Sequence, residues 1–183
     1  TGGRATLRFL ASERLTLTAS ATMQNQDVGD SVRFNREGDA ALVFPGEQPF
    51  SIGGDLQVTD FTVNDRRDDP RIYSLTADWD LGPGQIVATT NLYDRKIGFN
   101  FDSTPILLFF GVPVRAVSSF PEDREIWSNE IRFSSNFDGP LQVLAGIFYQ
   151  EETIDSESRV LTVDESGLVN EPTPSVLWVV RDR

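Results

Sequence analysis

Six stretches of this chain alternate apolar and polar residues, and the connections between them fall into two length classes. Successive side chains of a strand face opposite sides, so alternation marks a strand with one greasy surface and one mixed surface. In "EIRFSSNFDGPLQVLAGIFYQ" (130–150), Ile131 and Phe133 oppose Glu130, Arg132 and Ser134. Beyond the turn Leu141, Val143, Ala145, Ile147 and Tyr149 share a face. "ATLRFL" sets Ala5, Leu7 and Phe9 against Thr6 and Arg8. "LTLTASATMQNQ" sets Leu15, Leu17, Ala19, Ala21 and Met23 against Thr16, Thr18, Ser20, Thr22 and Gln24. "RIYSLTADWDL" sets Tyr73, Leu75, Ala77, Trp79 and Leu81 against Ser74, Thr76, Asp78 and Asp80. "QIVATTNLYDRK" is less regular, because Val87 and Tyr93 fall opposite Ile86, Ala88 and Leu92. These segments are rich in Thr, Val, Ile and aromatics, and no stretch reads as a helix. They predict an all-β antiparallel meander with strands near 4–11, 15–26, 71–81, 85–97, 125–136 and 141–153.

The connections sharpen the reading. Within each pair they are tight, as in "ASER" (11–14), "GPG" (82–84) and "DGP" (138–140). Between pairs they span roughly forty and about twenty-five residues, against a usual median of about 4–6. Alternation with one polar face also describes a soluble sandwich or a lipocalin-like barrel, and on alternation alone that is the better reading. A regular sequence of short and long connections turns it, because outer-membrane barrels have short periplasmic turns and long extracellular loops. The segments also match the roughly 9–11 tilted residues that cross a bilayer. Tyr73, Trp79, Trp127 and Tyr149 fall near strand ends, where an aromatic girdle sits. The expectation is lipid against the apolar face and water against the polar one.

Composition removes several alternatives. The chain has 183 residues, a net charge of −12, and neither Cys nor His. Phosphate binding needs clustered Lys and Arg, so nucleic acid is not an expected partner. The absence of Cys and His removes disulfides, thiol chemistry, His-based triads and the commonest zinc sites. No apolar run reaches the roughly 20 residues of a spanning helix; "PILLFFGVPV" (105–114) is short and broken by proline. No Walker A or G-x-G-x-x-G pattern occurs, and no constellation points to an enzyme or a cofactor.

"YSLTADWDLGPGQIVATTNLYDRK" followed by "SNEIRFSSNFDGPLQVLAGIFYQEE" resembles the middle of the barrel of TonB-dependent outer-membrane receptors. It is most similar to the receptor group common in sphingomonad-like proteobacteria. "GGRATLRFLASERLTLTASATMQ" resembles the hairpin preceding those strands, and the string "NEIRFSSNFDGPLQVLAGIFYQ" carries most of the likeness. The resemblance covers the six strands, around half the chain. It implies a barrel of about 22 strands filled by a plug domain, set in the bacterial outer membrane among its lipids. It further implies active import of a scarce ligand (an iron–siderophore, cobalamin, a saccharide or another small organic molecule), energised by the TonB complex through the plug region. The chain departs from the family in lacking a TonB box, a plug and a closing strand with a terminal aromatic, since it ends "WVVRDR". Six strands cannot enclose a plug, so residues 1–183 are expected to form an internal part of the barrel wall. The alternative class is a soluble all-β binding module, with carbohydrate as one candidate ligand.

Candidate site residues follow from these placements. Asp78, Asp80, Glu130 and Arg132 share the polar face and are expected close together, as lumen charges holding the plug or guiding a ligand. The plainer reading makes them solvated lumen residues pairing with Arg8 or with one another. "STPILLFFGVPV" (103–114) is greasy for an exposed loop. It is expected either to fold inward, with Phe109 and Phe110 on a ligand or the plug, or to pack on neighbouring loops or form an extra short strand. "NDRRDDPR" (64–71) lacks the D-x-D-x-D-G spacing of a calcium loop and reads as a solvated loop end. "FPGEQPFSIGGD" (44–55) has the Pro and Gly content of an irregular loop.

Overall fold

The structure is a computed structural model and describes residues 1–29, 37–38, 41–54, 57, 60–62, 64–166, 169 and 176–182. Among them the elements run β1 (Gly2–Leu10), β2 (Leu15–Gln24), β3 (Gln26–Val28), β4 (Arg66–Asp80), β5 (Gly84–Asp102), α1 (Thr104–Phe109), β6 (Ala116–Ser135), β7 (Leu144–Thr162) and β8 (Val176–Asp182). The strands form one antiparallel sheet in the order β1-β2-β4-β5-β6-β7-β8, with β3 paired to β4 off that path. The all-β antiparallel meander of the sequence reading is observed, with β3 and β8 added to the six expected strands and β3 standing off the path between β2 and β4.

Register fixes the faces. Leu7 stands opposite Ala19, and Ala19 opposite Leu75; Phe9, Leu17 and Ala77 form the next row. On the other face Arg8, Thr18 and Thr76 line up, and Thr76 Oγ1 meets Thr89 Oγ1 on β5 at 3.2 Å. Asn91 Nδ2 donates to Ser128 Oγ at 3.4 Å, which carries the polar face on to β6. On the apolar face Trp127 Nε1 donates to Thr90 Oγ1 at 2.9 Å.

The short connections are held by local polar chemistry. Ser12 Oγ accepts from the backbone N–H groups of Arg14 and Leu15 between β1 and β2. Between β4 and β5, Asp80 Oδ1 accepts from Gly82 N at 2.7 Å, and Gly82 takes φ +89°, a conformation that favours glycine. The "DGP" connection is looser than a tight turn, because β6 ends at Ser135 and β7 begins at Leu144. Gln142 fastens it: its Nε2 donates to the carbonyls of Phe137 and Gly139, and its Oε1 accepts from Ser135 Oγ and Phe137 N.

The strands overrun the expected spans at the ends away from these turns. Residues 66–71 belong to β4, which corrects the reading of "NDRRDDPR" as a loop end. The greasy segment 103–114 supplies the six-residue helix α1 and not an extra strand. Pro105 sits in its first turn, where a missing N–H costs nothing, and Gly111 with φ +76° follows its end.

The chain divides into two compact units. One comprises Thr1–Asn25, Asp68–Lys96 and Asp123–Ile154; the other comprises Gln26–Arg67, Ile97–Glu122 and Asp155–Arg183. The first is a single layer of sheet, and of its described residues only Asp68 and Gly84 are buried. The second encloses a small core in which Val117, Leu161 and Val163 pack with Val169. Beside it lies a buried polar knot. Asp102 accepts from the N–H groups of Phe61 and Thr104 at 2.6 and 2.9 Å, and its own N–H reaches Asn64 Oδ1 at 2.9 Å. Thr104 Oγ1 accepts from Ala116 N at 3.1 Å, so one cluster ties Phe61 and Asn64, the end of β5 and the start of β6 together.

Candidate functional site

The apolar face of the first unit switches character on four neighbouring strands, the switch on β7 lying one row nearer the turns, with Glu151 opposite Trp127. Moving away from the short turns, Tyr73 on β4 is followed on the same face by Arg71, and Leu92 on β5 by Asp94. Trp127 on β6 is followed by Glu125, and Tyr149 on β7 by Glu151. Toward the turns the face is apolar up to Phe9, Trp79 and Phe133, interrupted by Thr90 on β5 and Asn129 on β6. Tyr73 to Trp79 and Trp127 to Phe133 are each six positions, about 20 Å along a strand, and the rings add their own reach. Among the described residues no second layer covers this face: Leu7 is 71% exposed, Ile131 58% and Ile147 78%. Ala5, Ala19 and Ala21 leave a hollow of about 770 Å³ between the larger Leu7, Tyr73, Leu75, Leu92 and Trp127.

The polar face carries the residues singled out as candidate lumen charges, but it does not assemble them. β5 lies between β4 and β6, which puts Asp78 and Asp80 about 10 Å or more from Glu130 and Arg132 across the sheet. The expected proximity is therefore corrected. Each carboxylate on β4 serves its own hairpin: Asp78 Oδ1 accepts from Gln85 Nε2 at 2.6 Å, and Asp80 caps Gly82. Among the described residues no ion pair joins Glu130 or Arg132 to either of them, or to Arg8.

Phe109 and Phe110 close α1 with both rings largely exposed, set edge to face at 5.3 Å. The structure thus places them at the surface of their connection, and holds them near each other.

Three polar or aromatic groupings escaped the sequence reading. Arg95 forms a two-pronged ion pair with buried Asp68, with Nε to Oδ1 at 2.7 Å and a terminal nitrogen to Oδ2 at 2.6 Å. Arg115 lies over the rings of Phe44 and Phe61, at 4.9 and 5.5 Å from their centroids. Phe120 stacks near-parallel with Phe99 at 4.7 Å and with Phe101 at 5.6 Å. The first was hidden because 64–71 read as a loop. The other two join residues far apart in sequence, and only strand order brings them together.

Among the described residues no cluster of three or more His, Cys, Asp or Glu could hold a metal ion. No described helix is long and apolar enough to cross a membrane, which leaves crossing by strands untouched. Comparison with known proteins finds no matching family model, no matching curated protein and no matching solved structure.

Proposed function

We propose that this chain forms part of the wall of an outer-membrane transport barrel of the TonB-dependent receptor type, importing a scarce small ligand with energy relayed by TonB. One observation carries the reading: a single-layer antiparallel sheet presents an uncovered apolar face, and that face ends on Tyr73, Leu92, Trp127 and Tyr149 against a row of charges. A sheet in water buries its apolar face under a second layer. A sheet in a bilayer leaves that face to lipid, in a band about 25 Å tall bounded by aromatic residues, and keeps its polar face for the lumen. The extension of β4 to β7 beyond the charged row suits strands that continue past the bilayer toward ligand-binding connections. The sequence resemblance supplies the transport class, and the polar face with its Thr, Ser, Asn, Glu and Arg side chains suits a wet interior.

The chain has no native Cys, so single cysteines report without background. Spin labels at Leu75, Ala77, Ile131 and Val143 should show high oxygen and low nickel-chelate accessibility in the membrane-inserted protein. Labels at Ser74, Thr76, Glu130 and Arg132 should show the reverse. Because a one-residue slip exchanges the two faces, the contrast is sharp. Water-like accessibility at most of the first set would remove the transport reading and restore the soluble binding module.

A further inference from the structure

The hollow of about 770 Å³ on the apolar face of the first unit is built to a pattern. Five consecutive strands of the sheet path, β1, β2, β4, β5 and β6, each lend it two positions on that face, as Ala19 with Ala21 and Tyr73 with Leu75. Strands lie about 4.8 Å apart and same-face positions about 7 Å, so the hollow is a slot, about 19 Å across the strands and about 7 Å along them. Ala5, Ala19 and Ala21 floor it, with Ala5 opposite Ala21 and Ala21 opposite Tyr73. Nearer the turn Phe9 stands opposite Leu17, so the small floor belongs to the slot and not to the whole face. Trp127 closes the β6 end, its ring held by the bond from Nε1 to Thr90 Oγ1. Beside it Glu125 is the one charged lining residue, and among the described residues no hydrogen bond or ion pair engages its carboxylate. The charges that follow Leu92 and Tyr73 on this face, Asp94 and Arg71, are opposite in sign.

We propose that this slot binds a rigid, flat polycyclic lipid with a single hydroxyl, a molecule of sterol-like shape, whose hydroxyl donates to Glu125. The volume falls in the range of about 300–1,000 Å³ typical of ligand sites, and the lining has their usual character, apolar with few polar groups. Shape selects the body of the ligand. The alanine floor is flat and shallow, and the walls of Leu7, Leu75 and Trp127 stand on either side of it. A fused-ring plate covers such a floor and has no torsional freedom to lose, whereas an acyl chain laid in it must be ordered at a cost. An acyl chain also comes with every bilayer lipid, so a slot suited only to chains would prefer none of them. Charge selects the head. A hydroxyl offers Glu125 a charge-assisted hydrogen bond while the ring system covers the apolar remainder. A phosphate or sulfate head would bring like charge to that carboxylate, which penalises it against a neutral hydroxyl.

The inference rests on the bilayer reading for the source of the lipid, and it goes beyond transport: the slot opens on the face away from Thr76 and Thr89, so its occupant is a resident of the outer wall and not a cargo. Photolabelling tests it, with the protein in phosphatidylcholine nanodiscs and a cholestanol carrying a ring diazirine as the probe. Label should map to the peptides that carry Tyr73 and Leu92, and unlabelled cholestanol should displace it. Coprostanol, the same molecule with a bent ring junction, and cholestanyl sulfate, with an anion on the hydroxyl position, should each displace it about tenfold less well. Ala21→Leu fills the floor and should cut labelling about tenfold. Ala5→Leu fills it from the paired strand and should do the same, which guards against a folding defect in either variant. Ala77→Leu makes the same change on this face outside the slot and should leave labelling as it was. Glu125→Gln removes the like charge and should bring cholestanyl sulfate close to cholestanol as a competitor. Label that cholestanol does not displace, equal displacement by coprostanol (ordinary lipid contact), equal displacement by the sulfate in the parent, or full labelling in either folded leucine variant of the floor would each overturn the proposal. Displaceable labelling of a chain that stays monomeric without detergent or lipid would keep the slot and remove the bilayer reading. Membrane insertion without displaceable labelling would do the opposite.

Discussion

A Cβ built on Gly84 would stand 2.6 Å from Cε2 of Phe133 and 2.7 Å from the Ser134 carbonyl oxygen. The glycine opens β5 directly after the turn, and the Phe133 ring of β6 lies over the space a side chain would fill. A strand glycine costs backbone entropy and packs nothing, and an aromatic neighbour laid across it recovers burial. Gly84→Ala should therefore destabilise by about 1–3 kcal/mol, the range for overpacking a filled site. Phe133→Ala removes the ring part of the clash and leaves the carbonyl part. The double variant should thus lose less than the sum of the two singles. Denaturant midpoints in detergent micelles measure all three, and a Gly84→Ala midpoint equal to the parent's would mean that the ring does not sit there. Arg95 and Asp68 make a different point at the same scale. Their geometry matches a guanidinium fork on a carboxylate, which lysine cannot reproduce. Neither residue stood out in the sequence, because an Arg and an Asp twenty-seven positions apart have no local signature.

Gln142 shows how an element boundary depends on one side chain. Its amide makes four hydrogen bonds, to Ser135 at the end of β6 and to Phe137 and Gly139 inside the connection 136–143. Gln142→Ala should cost about 1–2 kcal/mol, since each net bond contributes about 0.5–1.5 kcal/mol and exposed groups recover part from water. Amide exchange at Phe137 should speed up, and exchange at Thr76 in the middle of β4 should not. Equal acceleration at both positions would mean global and not local loosening. The strands flanking this connection were legible because one face is apolar without interruption from Ile131 to Phe133 and from Ala145 to Tyr149. Their far ends were not. Phe99, Phe101 and Phe120 place rings on the polar face, which exchanges the two faces of the alternation along "IGFNFD" (97–102). Pro70 and Pro121 lie inside β4 and β6, where proline reads as a strand breaker. Helix α1 was illegible for another reason: six residues cannot show a helical period, and its start depends on Asp102 and Ala116 contacts made in space. Alternation gave the candidate charges the parity of Thr76 and Ser128, and the strand at 85–97 that separates them was itself legible, so their distance followed from the expected strand order.

At the scale of the whole molecule, what the sheet lacks decides how the chain behaves in water. Among the described residues β1 pairs only with β2 and β8 only with β7 along the sheet path, which leaves an outer row of backbone groups on each without a described strand beside it. Leu7, Phe9, Trp79, Trp127, Ile131 and Ile147 are all more than two-fifths exposed on the uncovered face. Burying one such side chain is worth about 1.5–3 kcal/mol. Opposing association is a net charge of −12, whose repulsion between copies reaches about 30 Å at 0.01 M salt and about 8 Å at 0.15 M. The attraction acts at contact and the repulsion at range, so salt should tip the balance. Without detergent the isolated chain should be kept apart in part at about 0.01 M salt and should associate into large species at about 0.15 M. In lauryl dimethylamine oxide it should remain monomeric at both, because the micelle covers the apolar face and leaves the edges too dilute to meet. Sedimentation velocity in the four conditions reads the outcome directly. A monodisperse monomer at the higher salt without detergent would mean that the face is covered by the chain itself, and the bilayer would then have no part in explaining this sheet.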